Sequence, residues 1–308
     1  MKKSMITMLL MMIAMTMSAQ SSGVKISAKY QKGDNMLYRM TVTTTIMGKS
    51  IDMVGETRYV VTEASPNGYI IENTVEKIES NAEPSDIVGR MLNMSQESIK
   101  GVKVILTTDA DGKVTGIKNI KDVQDASGAF IDKMLDELMA QMPAGASQMI
   151  TKDKLKASVA GRITEKNLVN SMLMQPSPFT LNGLTIGTGS TDMGMDATGM
   201  KMKNTYTLTA PDGSKVNVAS KSEMTKEDMK KLIIEQVKNI MPEQAEMIEQ
   251  NIDMVMASDA FKMEKNQVAD YEFGNNGWLK NVSFTATSSS VGQNSDMKCK
   301  IELVESNR

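Results

Sequence analysis

The sequence predicts an α+β fold: a large curved antiparallel sheet, half-barrel-like, with amphipathic helices packed on its concave face. Three observations lead there. Extended runs alternate apolar and polar residues with a period of two, and Asn-Gly or Asp-Gly turns join several of them. Helical runs fall between clusters of strands without strict strand-helix alternation, which argues against a parallel α/β sheet.

Residues Met1 to Gln20 open the chain with two lysines, an uncharged apolar run from Met5 to Met17, and the small residues Ser18 and Ala19. That order is what an export signal requires, and the run is too short to span a bilayer of roughly 30 Å as a helix. Residues 1–20 are therefore expected to be a signal peptide cleaved near Ala19 or Gln20. The mature chain is expected to be periplasmic or secreted, with no transmembrane segment. Residues 21–308 then read as a single α+β domain, for which two similar halves joined near 175–190 are a further organisation to consider.

The first strands follow the Lys32-Gly33-Asp34 turn. Leu37 to Met47 places Tyr38, Met40, Val42 and Ile46 on one face and Thr41, Thr43 and Thr45 on the other, the pattern of a strand wet on one side. Met53 to Ala64 and Tyr69 to Ile78 flank Ser65-Pro66-Asn67-Gly68, where proline presets φ and Asn-Gly tolerates the left-handed region. These runs form a meander. A short helix is expected near Ile87 to Met94, and Val102 to Thr107 pairs with Lys113 to Ile117 across Asp109-Ala110-Asp111-Gly112.

From Lys121 the period lengthens. Val123, Ala126, Phe130, Met134, Leu138 and Met142 mark one face of a helix ending before Pro143. Lys152 to Arg162 and Glu165 to Met174 are two further helical pieces, the second opened by Thr164 as N-cap. Gln175-Pro176-Ser177-Pro178 stops the helix, and Phe179 to Gly189 reads as extended. Met200 to Thr209 and Ser214 to Ser220 flank Pro211-Asp212-Gly213. Lys226 to Ile240, with Leu232 and Ile233 on its apolar face, and Gln244 to Ala257 are amphipathic helices. Pro242 separates them, since a proline inside one helix costs about 3 kcal/mol.

Three closing strands span Phe261 to Phe273, Trp278 to Ser288 and Met297 to Val304. The middle one follows Gly274-Asn275-Asn276-Gly277 and puts Trp278, Val282, Phe284 and Ala286 on one face, with Lys280 the exception and Leu279 on the other face. Cys299, the single cysteine, alternates with Met297, Ile301 and Leu303 on an apolar face, so it reads as a small buried hydrophobe. A lone thiol excludes an internal disulfide. DADGKVTGIKNIKDV and APDGSKVNVASKSEM both run strand, Asp-Gly turn, strand, helix; a duplicated unit explains this, and so does convergent turn chemistry.

Composition narrows the functions. The chain carries 35 basic and 37 acidic residues and no histidine, a net charge of −2, and loss of Lys2 and Lys3 with the signal takes it to about −4. No basic block points to nucleic acid. The absence of histidine removes the usual general base, the usual triad relay and the commonest zinc and copper ligand together. Neither GxSxG nor SxxK with its companion motifs occurs, so no catalytic residue, cofactor or enzyme activity is expected. Asp109-Ala110-Asp111-Gly112 begins like a calcium loop, but Lys113 and Ile120 stand where an oxygen ligand and a bidentate glutamate are needed, so it reads as a turn. Methionine is the outlier, at 31 residues. Met193-Gly194-Met195 and Met200-Lys201-Met202 are each M-x-M, a soft pair suited to Cu(I); the competing reading is pliable core filler in place of Leu and Ile, and no metal ligand is assigned.

YQKGDNMLYRMTVTTTIMG, DADGKVTGIKN and YEFGNNGWLKNVSFTATS together resemble uncharacterised exported proteins of Gram-negative bacteria. Those are similar in strand-helix order to periplasmic lipoprotein-carrier half-barrels of the Lol type. The resemblance implies a curved antiparallel sheet closed by helices around an apolar groove, and transfers no ligand contact residue by residue. The expected function is non-enzymatic binding of an apolar small molecule, lipid or acyl chain, or of a lipid-linked polypeptide. Met40, Val42, Phe130, Met134, Ile233, Trp278, Val282 and Phe284 are the expected groove lining. The alternatives are an envelope structural or interaction protein with a solid core, and a methionine-based Cu(I) binder.

Overall fold

The computed structural model describes residues 23–46, 49–85, 87–141, 151–161, 163–174, 176–195, 201–240, 245–256, 263–290 and 293–308. The expected signal, the stop at Pro143, and Met200 and Pro242 lie outside them. The strands are β1 (Val24–Lys25), β2 (Asn35–Ile46), β3 (Lys49–Ser65), β4 (Gly68–Ser80), β5 (Lys103–Thr108), β6 (Val114–Ile117), β7 (Thr185–Ile186), β8 (Thr191–Met195), β9 (Lys201–Leu208), β10 (Lys215–Met224), β11 (Met263–Phe273), β12 (Leu279–Ser290) and β13 (Gln293–Ser306). The helices are α1 (Ile87–Ile99), α2 (Ile120–Gln141), α3 (Lys152–Ala160), α4 (Glu165–Met174), α5 (Lys226–Ile240) and α6 (Ala245–Val255). Among the described residues no helix is long and apolar enough to cross a membrane.

Eleven strands make one curved antiparallel sheet in the order β6-β5-β4-β3-β2-β13-β12-β11-β10-β9-β8, while β1 and β7 pair separately. The sheet is open, with β6 and β8 at its edges. The chain writes it as two meanders, one running outward from β2 and the other inward from β8. They join where β2 pairs with β13, Met40 opposite Ile301 and Val42 opposite Cys299. This is the sheet-rich α+β architecture expected from the alternation and the turns.

Local chemistry sets the element ends. Thr164 Oγ1 accepts from Asn167 N at 3.2 Å, the expected cap of α4. Thr225 does the same for α5, accepting from Asp228 N at 3.1 Å and donating to the Asp228 carboxylate at 2.7 Å. In the β5–β6 turn, Asp109 Oδ1 accepts from the backbone of Asp111 and of Lys113, each at 3.0 Å, so this carboxylate closes a hairpin rather than facing an ion. The neighbouring Asp111 carboxylate pairs with Lys25 at 2.6 Å, a contact that also holds it below the usual carboxylate range.

Three elements differ from expectation. β8 was not anticipated, because Thr191-Asp192-Met193-Gly194-Met195 is short and its glycine breaks the apolar alternation. Residues 178–183 are turns rather than strand, and only Thr185–Ile186 is extended, paired with Val24–Lys25. The cause is local hydrogen bonding: Thr180 Oγ1 accepts from Ser177 N at 2.9 Å and Ser177 Oγ from Phe179 N at 3.2 Å, offering the backbone an alternative to a ladder. Leu279 is fully buried instead of facing water. Glu272 opposes Asn281 while Phe273 opposes Leu279, so Lys280 is the extra residue of a bulge that brings Leu279 onto the side of Val282.

The main core lies on one side of the sheet, under a strap of residues 24–30 and the loop 176–186. Ile26 N donates to Leu184 O at 2.9 Å and Gly183 N to Ile26 O at 2.8 Å, fastening strap to loop. At its centre Tyr30 stacks on Trp278 with ring centroids 4.0 Å apart, and Tyr59 meets Phe179 edge-on at 5.4 Å. The Tyr38 hydroxyl donates to Leu279 O at 2.6 Å. A second, smaller core joins Met224 at the end of β10, Met229 of α5, Ile252 of α6 and Met256 just after it. Helix α1 packs against α2 and β4, α2 against α3 and β5, and α4 against β6.

Candidate ligand-binding cleft

Side chains two residues apart on a strand share a face, so pairing register turns the sheet into rows. Three consecutive rows cross β8 to β12 on the core side. The first runs Leu208, Val216, Tyr271, Val282, and the second Tyr206, Val218, Ala269, Phe284. The third runs Asp192, Asn204, Ser220, Gln267 and is polar from β8 to β11, turning apolar again at Ala286 on β12. Along β10 exposure follows the same order: Val216 is fully buried, Val218 sits at 8%, and Ser220 is half-buried.

The second and third rows, with Tyr271 and Met202, form the floor of a cleft of about 410 Å³. Its facing wall comes from Asn170 and Leu173 of α4, Pro176, Thr180, Leu181, Asn182 and Leu184 of the loop, and Lys113 of the β5–β6 turn. The wall stands where it does because Phe179 and Leu181 are each 2% exposed, anchoring the loop in the main core. The arrangement is an apolar trough crossed by a polar belt, with one carboxylate and one lysine among the described lining residues.

Hydrogen bonds hold the belt together. Asp192 Oδ1 accepts from Asn204 Nδ2 at 2.8 Å, Asp192 Oδ2 from the Tyr206 hydroxyl at 2.9 Å, and Ser220 Oγ donates to Asn204 Oδ1 at 2.7 Å. Burial first, and then the adjacent Asp192 carboxylate, push the Tyr206 phenol well above its ordinary value, so it remains a neutral donor. Tyr271 is likewise pushed up by burial.

On the facing wall, Asn182 is 1% exposed. Its Nδ2 donates to the Tyr30 hydroxyl at 2.9 Å and to Gly112 O at 3.1 Å. A backbone carbonyl only accepts, so the amide nitrogen is fixed toward Gly112 and the oxygen is turned the other way. That oxygen has no hydrogen-bond partner among the described residues. The approach requires glycine: Gly112 has φ +84°, and a Cβ there would lie 2.4 Å from Ala28 Cβ and 2.9 Å from Asn182 Nδ2.

Of the eight residues expected to line a groove, only Phe284 lines this cleft. Trp278 and Val282 are fully buried and share the main core with it. Met40 and Val42 lie on β2, Met40 at 38% exposure and Val42 buried. Phe130 and Met134 are half-buried on α2, outside both cores, and Ile233 packs against the small core of α5–α6. Met193 is 67% exposed and opposes Lys203, whereas Met202 is buried and opposes Gly194, so these two thioethers face opposite sides of the sheet. Cys299 is half-buried, and burial pushes its thiol up to about 11. The polar belt was missed, although Val216, Val218, Ser220 and Ser222 show one face of one strand changing from apolar to polar midway.

No family model and no curated protein sequence matches this chain. Among solved structures, lipovitellin, in a structure concerned with lipid-protein interactions, aligns over 90% of this chain at 9% identity with a TM-score of 0.39. The alignment covers 26% of the lipovitellin chain. A porin-like protein from Bacteroides uniformis aligns over 90% of this chain and 98% of its own, at 8% identity and a TM-score of 0.19. At these values neither alignment bears on the cleft.

Proposed function

We propose that this chain is an exported, non-enzymatic binding protein that holds an apolar chain, a free lipid or the acyl part of a lipid-linked polypeptide, between its sheet and the loop and helix that face it. In this reading the loop and the helices close the concave side of the sheet, leaving the trough between Val218, Ala269 and Phe284 and the wall of Leu173, Leu181 and Leu184 for the ligand. The observation that carries it is the row pattern: apolar side chains line a cleft of about 410 Å³ and are crossed by one polar belt from β8 to β11. Ligand pockets occupy about 300–1,000 Å³ and combine mostly apolar walls with a few placed polar groups. The trough holds the chain and the belt faces its polar end.

Native mass spectrometry of protein purified from its own host tests this. A co-purifying species that releases an acyl chain on extraction supports the reading. A bare polypeptide mass, with no uptake of added lipid, overturns it and leaves a solid-cored interaction protein.

A further inference from the structure

Resting on that reading, we infer that the cleft selects a neutral, hydroxyl-bearing single-chain lipid, of the monoacylglycerol kind, over the carboxylate head of a free fatty acid. The polar end of the site has acceptors to spare. Asp192 presents a carboxylate that already organises Asn204 and Tyr206 and keeps further lone pairs on both oxygens. A hydroxyl donates to such groups and can accept from the amides of Asn204 or Gln267 at the same time, whereas a carboxylate only accepts. In the polar row a carboxylate head would also meet Asp192 as a like charge at the edge of a low-dielectric trough. Among the described residues Lys113 is the one lining cation, and it belongs to the opposite wall, on the β5–β6 turn, not to the polar belt. A site that meets the ligand's polar end with a carboxylate acceptor rejects a head lacking the donor more strongly than an apolar pocket rejects a change of chain length.

The test uses the full chain and two probes with the same chain, 1-monooleoylglycerol and oleate, each below its aggregation threshold at pH 8. Displacement of the neutral dye Nile red reads their affinities. The expected result is binding of monooleoylglycerol about tenfold or more tighter than oleate. Asp192→Asn, at an exposed position and able to keep an oxygen toward Tyr206, removes the like charge and weakens the acceptor, so it is expected to tighten oleate several-fold, to weaken monooleoylglycerol, and to narrow the ratio between them. Equal affinities, tighter oleate, or an unchanged ratio in Asp192→Asn overturn the head-group inference and leave the lipid cleft standing. Failure of both lipids to displace the dye or to appear in native spectra overturns the cleft with it.

Discussion

The indole N–H of Trp278 donates to Asp34 Oδ2 at 3.0 Å, across 244 residues of chain. The same carboxylate accepts from Gln31 N at 2.9 Å and from Arg308 Nη1 at 3.1 Å, while the side chain is only 2% exposed. One buried anion thus ties together the turn before β2, the hairpin before β12 and the segment after β13. Asp34→Ala is expected to cost about 3 kcal/mol, because it leaves several buried donors unpaired. Arg308→Ala is expected to cost about 1 kcal/mol or less, since its side chain is 30% exposed. Urea titrations followed by Trp278 fluorescence decide the order; the reverse ranking would refute this account of the node.

The edge of β6 supplies a second prediction. Glu165, in the first turn of α4, accepts from Ile117 N at 2.7 Å, so a side chain occupies a backbone donor that an unprotected edge strand offers to other chains. Glu165→Ala is expected to lower stability by about 1 kcal/mol and to raise light scattering on heating. Glu165→Gln keeps an acceptor and is expected to behave nearly as the parent. A scattering onset that is the same for Ala and Gln would remove the edge-capping role.

The first meander and the hairpins β5–β6, β9–β10 and β11–β12 were legible in the sequence because hairpins are local. Asp212-Gly213 fixes β9 against β10, and Asn67-Gly68 fixes β3 against β4, through turn chemistry within a few residues. Pairings that span the chain leave no such mark. β2 pairs with β13 from the opposite end of the chain, and β10 pairs with β11 across the intervening α5 and α6. The cleft depends on those long-range registers, which is why its polar belt escaped a strand-by-strand reading although Asn204, Ser220 and Gln267 each alternate correctly within their own strands. Trp278 misled for a related reason. A large aromatic at the start of a wet-faced strand suits a groove lining or a core equally well, and only the approach of Tyr30 and Asp34 from the strap decides for the core.

Cys299 tests burial through reactivity. Desolvation raises its thiol from 9.0 to about 11, because burial disfavours the charged thiolate. At pH 8 the thiolate population is then about 100-fold below that of an unperturbed thiol, and alkylation by iodoacetamide is expected to slow in proportion. The unfolded chain ionises first as pH rises. Whatever stability the neutral thiol contributes is therefore fully present below pH 9 and lost on the way to about 11. Rapid alkylation of native protein at pH 8, at the rate found in urea, would contradict the buried placement.

The cleft itself can be filled. Ala269 is 5% exposed, lies between Val218 and Phe284 in the second row, and points at the space below Leu181 and Leu184. In a close-packed core, a large residue at such a position costs about 1–3 kcal/mol through displaced neighbours. Where the neighbouring space is open, the added ring enters the void and the cost falls to the lower end of that range. Ala269→Trp is therefore expected to reduce lipid uptake about tenfold or more while lowering stability by about 1 kcal/mol. Thr205→Trp, on the opposite face of β9, is the matched control and is expected to leave uptake unchanged. Nile red binding and urea midpoints measured on both variants separate the cases. Loss of stability in Ala269→Trp without loss of uptake would mean that the ring displaced core and that the ligand sits elsewhere.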